Sequence, residues 1–183
     1  MSNTQTMTAV PVGTWQLDPV HSSVGFEVDY MAGTFKGGFR DVEATLSDDG
    51  EGTRLEGAAK VASVDVKDEN LATHLQSPDF FDAERHPELL FTAEDIDLDG
   101  EAVTVKGKIT IKGVTKPVAL AGTVTPPLED YSGNERIVLK LTTVIDRTEF
   151  GVNWNLPLPT GQPALANEVL IVGDLYFYLV KGD

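Results

Sequence analysis

Histidine, arginine and the carboxylates are the side chains of this sequence that could bind a metal ion or move a proton. The chain has three histidines, His21, His74 and His86, and three histidines are enough to hold an ion such as zinc. No H-x-H or H-x-x-x-H spacing links them, and they fall on a strand start, a predicted helix and a loop. The sequence therefore predicts no metal site and no cofactor.

Two charged positions have an expected partner. Arg147 could hold an anionic headgroup, because a guanidinium can donate two parallel hydrogen bonds to it. A structural ion pair of Arg147 with Asp82 or Glu149 is the alternative, and the sequence leaves both open. His21 follows Asp18 by three residues, so we expect a hydrogen bond between them that fixes the break after the first strand.

The motifs of common enzyme classes are missing from the sequence. Because it has no cysteine, thiolate nucleophiles, disulfides and cysteine-based zinc sites are excluded. It has no G-x-S-x-G elbow, no phosphate-binding loop and no dinucleotide fingerprint. We predict no catalytic residue and no enzyme activity. The alternative is an enzyme with a polar cluster, such as His21, Tyr30 and Arg147, that points into an apolar cavity.

The 183-residue chain is strongly acidic, with a formal net charge of -15 and a pI of about 4.4. Nucleic acids require a basic protein face and anionic lipid headgroups attract basic segments, so the charge argues against both partners. No apolar run is long enough to span a bilayer. The first residues lack the pattern of a secretory signal. We expect a cytoplasmic protein, or a periplasmic or secreted one if a leader precedes this sequence.

Alternation of apolar and polar residues predicts strands along most of the chain. In residues 21–31, for example, Val24, Phe26, Val28 and Tyr30 share one face. About eight such strands with short turns predict an all-β antiparallel barrel or sandwich. Mid-strand glycines favour the barrel, because they permit corners and close approach. These glycines are Gly25, Gly57, Gly107, Gly122 and Gly173.

Two stretches depart from simple alternation. Gly33, Gly37 and Gly38 predict bends or bulges before a strand over residues 39–47. The last strand, over residues 169–180, is apolar on nearly both faces. Such a strand is central in its sheet, or its outer face meets a partner such as a second copy of the chain.

Residues 68–91 do not fit the strand pattern and predict a short helical insert. Asp68 is a good N-cap, because its carboxylate can accept the free amide hydrogens of the first helical turn. Leu71 and Leu75 lie on one face of this helix, which Pro78 ends. In an all-β protein, an insert with such an apolar face must cover another apolar surface.

Four sequence blocks together carry a family resemblance. WQLDPVHSSVGFEV at residues 15–28 and HLQSPDFFDAERHPELLFTA at residues 74–93 are followed by GKITIKGVTKPVAL at 107–120 and DRTEFGV at 146–152. In this order, and over nearly the whole chain, they resemble the YceI-like family. Residues 1–12 are polar and are expected to form a flexible lead. The resemblance implies residues 13–183 as one lipocalin-like barrel domain, with the helical insert near its mouth.

The family resemblance also implies a function, which is non-catalytic binding, carriage or storage of a polyisoprenoid or similar long lipid inside the barrel. The alternatives are an enzyme that acts on an apolar substrate in the cavity, and a stress-related interaction protein with a filled barrel and a homodimer contact on its last strand. The residues expected to contact the lipid are Phe26, Val28, Tyr30, Leu71, Leu75, Phe80, Phe81, Phe91, Leu120, Leu141, Arg147 and Trp154.

Overall fold

Strands make up most of the molecule, and the computed structural model describes residue 7 and residues 9–182. The helical elements are α1 (Glu69–Gln76) and two 3-10 turns, Val61–Ser63 and Arg147–Phe150. The strands are β1 (Gly13–Leu17), β2 (Ser23–Tyr30), β3 (Gly33–Phe39), β4 (Val42–Asp48), β5 (Thr53–Lys60), β6 (Val64–Asp65), β7 (Glu88–Asp99), β8 (Ala102–Ile111), β9 (Val114–Val124), β10 (Leu128–Glu129), β11 (Glu135–Asp146) and β12 (Leu165–Leu179).

These strands close into an antiparallel barrel of eight strands, three of them interrupted, and each of the eight neighbours the next along the chain. β1 and β2 pair with successive parts of β12, so together they form one interrupted strand. In the same way β3 continues into β4, and β5 into β6. β7, β8, β9, β11 and β12 complete the ring, which the pairing of β12 with β1 and β2 closes. The predicted all-β barrel of about eight strands is confirmed.

Hydrogen bonds across the interruptions keep the first three strands joined. At the first break the main-chain N–H of Asp18 donates to the carbonyl oxygen of Tyr176 at 2.7 Å, which holds the chain against β12. At the other two breaks the main-chain N–H of Arg40 donates to the carbonyl oxygen of Ser63 at 3.0 Å, and the main-chain N–H of Lys60 donates to that of Asp41 at 2.9 Å. The breaks therefore bend the barrel wall without opening it.

A charged network fixes the first break. The carboxylate of Asp18 lies 2.8 Å from Nδ1 of His21, the expected contact, and accepts a hydrogen bond from Arg136 at 2.8 Å. Arg136 also donates to Asp130 at 2.7 Å. Burial alone would raise the pKa of Asp18, but the hydrogen bonds from His21, from the main-chain N–H of Val20 and from Arg136 lower it to about 2.

Two apolar clusters divide the barrel interior. The first fills one end, called here the closed end, and its largest side chains are less than 2% exposed, among them Trp15, Leu46 and Phe177. Met7 and Val10 are buried in the same cluster. They belong to the predicted flexible lead, whose residues 1–6 and 8 lie outside the described residues, and at these two positions the lead contributes to the core instead. The second cluster lies at the opposite end, called here the mouth.

The helical insert follows the expectation from its sequence. α1 begins after Asp68, whose carboxylate accepts a hydrogen bond from the N–H of Leu71 at 2.9 Å. It ends at Ser77, whose N–H donates to the carbonyl oxygen of His74 at 3.0 Å. Leu75 is buried in the cluster at the mouth. The apolar face of α1 thus covers the mouth of the barrel.

The glycine-rich stretch after β2 differs from its prediction, because it forms the regular strand β3 instead of bends. The glycines serve close approach. A Cβ on Gly37 would lie 2.5 Å from the ring of Phe26, and one on Gly38 would lie 3.0 Å from the carbonyl oxygen of Val24. Because Gly37 and Gly38 have no side chain, β3 can lie close against β2 beneath the ring of Phe26.

The last strand is central, since β12 pairs along one edge with β11 and along the other with β1 and β2. Its outer tyrosines are half-buried by groups of the same chain. Tyr176 lies beside the His21 ring, with centroids 6.1 Å apart, and the guanidinium of Arg136 lies 5.9 Å from the centre of the Tyr178 ring. The central position accounts for the apolar character of both faces.

Candidate functional site

A cavity of about 390 Å³ occupies the barrel between the closed-end core and α1. Its wall is almost entirely apolar, because the inward-facing residues of the strands are aliphatic, aromatic or glycine. Leu55, Leu141 and Leu175 lie where the cavity meets the closed-end core. Leu71 and Leu75 of α1 line it at the mouth. The arrangement can enclose an apolar molecule and offers little to a polar one.

The structure brings all twelve predicted site residues to the wall of this one cavity. The aromatic and aliphatic positions come from four strands, from α1 and from the loop after it, and Arg147 and Trp154 come from the segment after β11. Their contact with a ligand stays a prediction. The twelve are Phe26, Val28, Tyr30, Leu71, Leu75, Phe80, Phe81, Phe91, Leu120, Leu141, Arg147 and Trp154.

Sequence reasoning missed the small residues of the wall. Ala44, Gly57, Ala59 and Gly173 line the cavity and leave its volume open. Their signal is their position in the alternating pattern, since each shares the inward face of its strand with large apolar residues. The wall also includes apolar residues that alternation would have found, which are Phe35, Phe39, Ile109, Ile111, Ile145, Val169 and Ile171.

Aromatic rings gather at the mouth of the cavity. The ring of His74 meets those of Phe80 and Trp154 edge to face, at centroid distances of 5.0 and 5.1 Å. Phe80 and Trp154 lie 5.3 Å apart. Nε2 of His74 is 3.0 Å from a carboxylate oxygen of Asp79, which orients the imidazole. Aromatic pairs at these distances attract one another, so α1 and the segment around Trp154 are joined across the mouth.

Arg147 is buried, and main-chain carbonyl groups satisfy its guanidinium. It donates to the carbonyl oxygens of Ala166 at 2.8 Å, Val152 at 2.7 Å and Trp154 at 2.9 Å, and more distantly to that of Leu165 at 3.5 Å. Burial lowers its pKa, although nearby Asp146 acts in the opposite direction. Arg147 thus ties the segment after β11 to the start of β12.

The ion pair of Arg147 with Asp82 or Glu149, one of the two alternatives for this residue, is therefore wrong within the described residues. Asp82 is buried in the loop after α1, and its nearest cation is Arg85, with Nε at 3.9 Å. The physical reason is that the left-handed turn at Gly151 folds the chain back, so that carbonyl groups rather than carboxylates converge on Arg147.

A lysine at the turn between β8 and β9 connects the loops around the mouth. Nζ of Lys112 donates to the carbonyl oxygen of Pro78 at 2.6 Å and to that of Gly151 at 3.2 Å. On the adjacent Gly113, a Cβ would lie 2.6 Å from the His86 ring, so this ring lies directly on the turn. The loops before and after the cavity mouth are therefore held to the same turn.

The profile of the YceI-like domain matches residues 15–177 of the chain. This protein belongs to the YceI-like family. A UPF0312 protein of Photorhabdus laumondii is 28% identical over 140 residues, which cover 74% of this chain and 73% of that relative. Protein YceI of Escherichia coli O157:H7 is 26% identical over 140 residues, with the same two coverages.

Solved structures of the YceI-like family and its neighbours share the barrel. The crystal structure of BcnA from Burkholderia cenocepacia is 25% identical, with a TM-score of 0.74 over 87% of this chain and 98% of that one. A polyisoprenoid-binding domain from Saccharophagus degradans, implicated in plant cell wall breakdown, has a TM-score of 0.68 at 13% identity and covers 91% of this chain and 98% of its own. At that identity the second likeness shows the fold alone.

Neither a metal-binding cluster nor a membrane-spanning helix is present in the described part of the chain. Within residue 7 and residues 9–182, no three histidine or acidic side chains come together as a metal-binding group. In the same part of the chain, no helix combines the length and the apolar character needed to cross a membrane.

Proposed function

We propose that this protein binds, carries or stores a polyisoprenoid or a similar long apolar lipid inside its barrel, without catalysis. The cavity of about 390 Å³ supports this proposal, because its wall is apolar from the mouth to the closed end. A ligand there is recognised by burial of hydrocarbon. A wall that is almost entirely apolar suits a hydrocarbon chain rather than a compact polar metabolite.

The free energy of such binding comes from the length of the chain. Each buried methylene group contributes about 0.8 kcal/mol, so each five-carbon isoprene unit contributes roughly 3–4 kcal/mol before costs. Association and ordering cost roughly 4–15 kcal/mol. Several units must be enclosed before binding is tight, and this requirement favours polyisoprenoids and long alkyl chains over short apolar molecules.

The domain from S. degradans, which is described as polyisoprenoid-binding, suggests the ligand class. Its similarity to this chain is one of fold, so the apolar wall carries the argument. Barrels of about eight strands have an interior that either is filled by side chains or holds one ligand. Here the closed end is filled and the mouth half is open.

Polar groups at the cavity support a role without catalysis. Arg147 directs its donors to main-chain carbonyl oxygens, and Nε2 of His74 faces Asp79. His21, which the enzyme alternative needs beside Tyr30 and Arg147, lies instead with Asp18 at the first strand break. The other alternative, an interaction protein, requires a filled barrel, and the open cavity argues against it.

Native mass spectrometry of the purified protein tests the proposal, followed by organic extraction and lipid analysis. We expect a bound species whose extracted mass belongs to an apolar chain lipid. The same sample measured under denaturing conditions is the control, because it gives the mass of the chain alone. A protein that is free of ligand and that also fails to bind farnesol, geranylgeraniol or a long fatty alcohol would overturn the proposal.

A further inference from the structure

We propose that one side of the barrel mouth docks onto a neutral lipid surface through an exposed apolar patch. The patch is formed by the turn between β2 and β3 and by the hairpin of residues 155–165. Its exposed side chains include Tyr30, Met31, Leu156 and Pro159, and it is called here the mouth patch. This proposal rests on the proposed lipid-binding function and adds to it the surface from which the lipid enters the cavity.

Main-chain hydrogen bonds join the two segments of the mouth patch. The N–H of Met31 donates to the carbonyl oxygen of Ala164 at 2.8 Å, and the N–H of Ala164 donates to that of Leu156 at 2.8 Å. Within the hairpin, the N–H of Leu158 donates to the carbonyl oxygen of Gln162 at 2.7 Å. The backbone therefore holds the apolar side chains of the patch in fixed positions beside one another.

Met31 lies at a position that favours glycine. Tyr30 pairs with Gly33, so Met31 and Ala32 form a two-residue turn between β2 and β3. The φ of Met31 is 52°, and glycine is favoured at the first position of such a turn because a side chain is strained there. The methionine is also 57% exposed, so it contributes little to the core. A strained and exposed apolar side chain indicates a contact outside the chain.

The mouth patch belongs to the uncharged part of an acidic chain. Residues 30–35 and 150–167 contain no lysine, arginine, histidine, aspartate or glutamate, although the formal net charge of the chain is -15. At the closed end, three turns each carry three carboxylates and no lysine or arginine, over residues 48–53, 97–101 and 129–135. The barrel is therefore acidic at its closed end and neutral on one side of its mouth.

A neutral lipid surface fits this distribution of charge. Apolar side chains bind the headgroup region of a bilayer by burial of their apolar area. Anionic headgroups attract basic segments, and the mouth patch has no basic residue. Asp79 and Glu84 are exposed in the loop after α1 at the same end, so an anionic surface would repel the mouth. The acidic turns of the closed end favour an approach in which the mouth comes first.

A second copy of the chain fits the mouth patch less well. Stable protein interfaces bury roughly 800 Å² on each partner and involve about 20–30 residues a side. The two short segments of the patch offer much less, and two chains with a net charge of -15 repel each other. The size and the charge of the patch therefore favour the lipid surface over a dimer.

The mouth patch continues into the cavity. Tyr30 belongs both to the patch and to the cavity wall, and Leu165, which pairs with Tyr30, lines the cavity as well. Moving a long apolar chain from a membrane into water costs free energy for every methylene group that becomes exposed. A mouth that lies against the membrane removes much of this cost, because the ligand passes from one apolar environment to another.

Quenching of tryptophan fluorescence by phosphatidylcholine vesicles with brominated acyl chains measures docking without any ligand. Trp154 lies at the mouth next to the hairpin and Trp15 is buried at the closed end, so Trp15→Phe and Trp154→Phe each leave one reporter. We expect quenching in Trp15→Phe and none in Trp154→Phe. Replacing phosphatidylcholine with phosphatidylglycerol should weaken the quenching, because the bilayer is then anionic.

Two substitutions in the patch and one outside it are compared in the Trp15→Phe chain. Leu156 is 57% exposed at the mouth and Leu128 is 73% exposed at the closed end, so Leu128→Gln is the matched control for Leu156→Gln. Met31→Gly removes the methionine and relieves the turn, so thermal stability should not fall. Leu156→Gln and Met31→Gly should each weaken vesicle binding roughly tenfold, the scale expected for one large apolar side chain. Leu128→Gln should leave it unchanged.

Transfer of geranylgeraniol connects docking with the proposed function. From phosphatidylcholine vesicles, uptake by the unmodified chain should become faster as the vesicle concentration rises, because transfer occurs on contact. Leu156→Gln and Met31→Gly should slow this uptake by the same factor by which they weaken vesicle binding. When the alcohol is delivered from cyclodextrin, its affinity should be the same for all these chains, because Met31 and Leu156 are not part of the cavity wall.

The possible failures can be separated. If phosphatidylcholine vesicles do not quench Trp154, or if Leu156→Gln and Leu128→Gln have equal effects, the docking proposal is overturned. If the patch substitutions instead convert a dimer into a monomer in sedimentation velocity, the patch is an interface between copies and the lipid surface is overturned. If geranylgeraniol binds from neither cyclodextrin nor vesicles, the proposed function fails, while the quenching experiment still decides whether the mouth docks.

Discussion

Nη1 of Arg147 lies 2.9 Å from the main-chain carbonyl oxygen of Trp154 and 2.7 Å from that of Val152. One buried guanidinium thus determines the path of the segment that presents Trp154 to the cavity. Arginine suits this task because its donors are fixed in a plane and point in several directions at once. The same residue joins the barrel framework to the wall of the candidate site.

Replacing Arg147 with methionine should therefore destabilise the fold. Hydrogen bonds to a charged group contribute about 1.5–3 kcal/mol each, and their loss would leave buried carbonyl oxygens without a donor. We expect a loss of at least about 3 kcal/mol in the free energy of urea-induced unfolding, and an intermediate loss for Arg147→Lys. Lys140→Met removes a cation from the exposed face of β11 and should change stability by less than about 0.5 kcal/mol. Equal effects of Arg147→Met and Lys140→Met would contradict this assignment.

Trp154 should report the arrival of a ligand. The chain has two tryptophans, and they differ in position. Trp15 is fully buried at the closed end and donates to the carbonyl oxygen of Pro11 at 3.1 Å, whereas Trp154 lines the cavity at its mouth. An apolar ligand removes water from Trp154, so we expect a blue shift of the fluorescence emission when geranylgeraniol is added.

The response should be lost in Trp154→Phe and kept in Trp15→Phe. Trp154→Phe retains an aromatic ring beside His74 and Phe80, so binding itself should persist in a displacement assay. An unchanged shift in Trp154→Phe would mean that the ligand acts on the closed end, and would contradict the placement of the site.

How much of this architecture the sequence could predict depends on whether the signal is local. Asp68 and Pro78 bound the helix through local backbone chemistry, and both ends were predictable. Inward faces follow from alternation, which is why the twelve predicted site residues share one cavity. The strand β3 was missed because Gly37 and Gly38 are also typical of bends, and only the Phe26 ring and the backbone of β2 explain them.

Contacts to the main chain leave no such signal. Arg147 binds carbonyl groups, which every residue carries, so no residue type in the sequence marks its partners. The open volume was equally hidden, because the alternating pattern is the same for a filled and a hollow barrel. Burial of Met7 in the closed-end core depends on tertiary packing, and the polar sequence around Met7 gives no indication of it.

Gly122 should tolerate no side chain. It faces inward where β9 pairs with β11, and a Cβ there would overlap the carbonyl oxygen and carbon of Lys140. Gly122→Ala must therefore separate the two strands, and we expect a loss of at least about 2 kcal/mol, in the range of overpacked cores. Gly173→Ala is the matched control, since its Cβ meets only the side chain of Leu175 at ordinary distance. Urea unfolding with an unchanged m-value would measure both, and equal stability of the two variants would disprove the close approach.

Acid should weaken the fold through Asp18. Burial would raise the pKa of Asp18, but the hydrogen bonds that its carboxylate accepts from His21, Val20 and Arg136 outweigh this and lower the pKa from its usual value of 3.8 to about 2. A folded-state pKa below the unfolded one means that the contribution to stability is complete above about pH 4 and is lost as the pH falls through about 2. The midpoint of urea unfolding should therefore drop between these values. Asp18→Asn should lower the free energy of unfolding at pH 7 by about 1.5–3 kcal/mol. It should also make the fall in stability between about pH 4 and pH 2, called here the acid limb, less steep.

Asp97→Asn is the control for this acid limb, because Asp97 is exposed on β7. It should leave both the stability at neutral pH and the shape of the acid limb unchanged. Asp130 also contributes to the loss of stability in acid, because the hydrogen bond that it accepts from Arg136 lowers its pKa to about 2. Asp18→Asn should therefore reduce the loss of stability between pH 4 and pH 2 without abolishing it. An acid limb that is identical in Asp18→Asn and in the unmodified chain would show that the first strand break does not depend on this carboxylate.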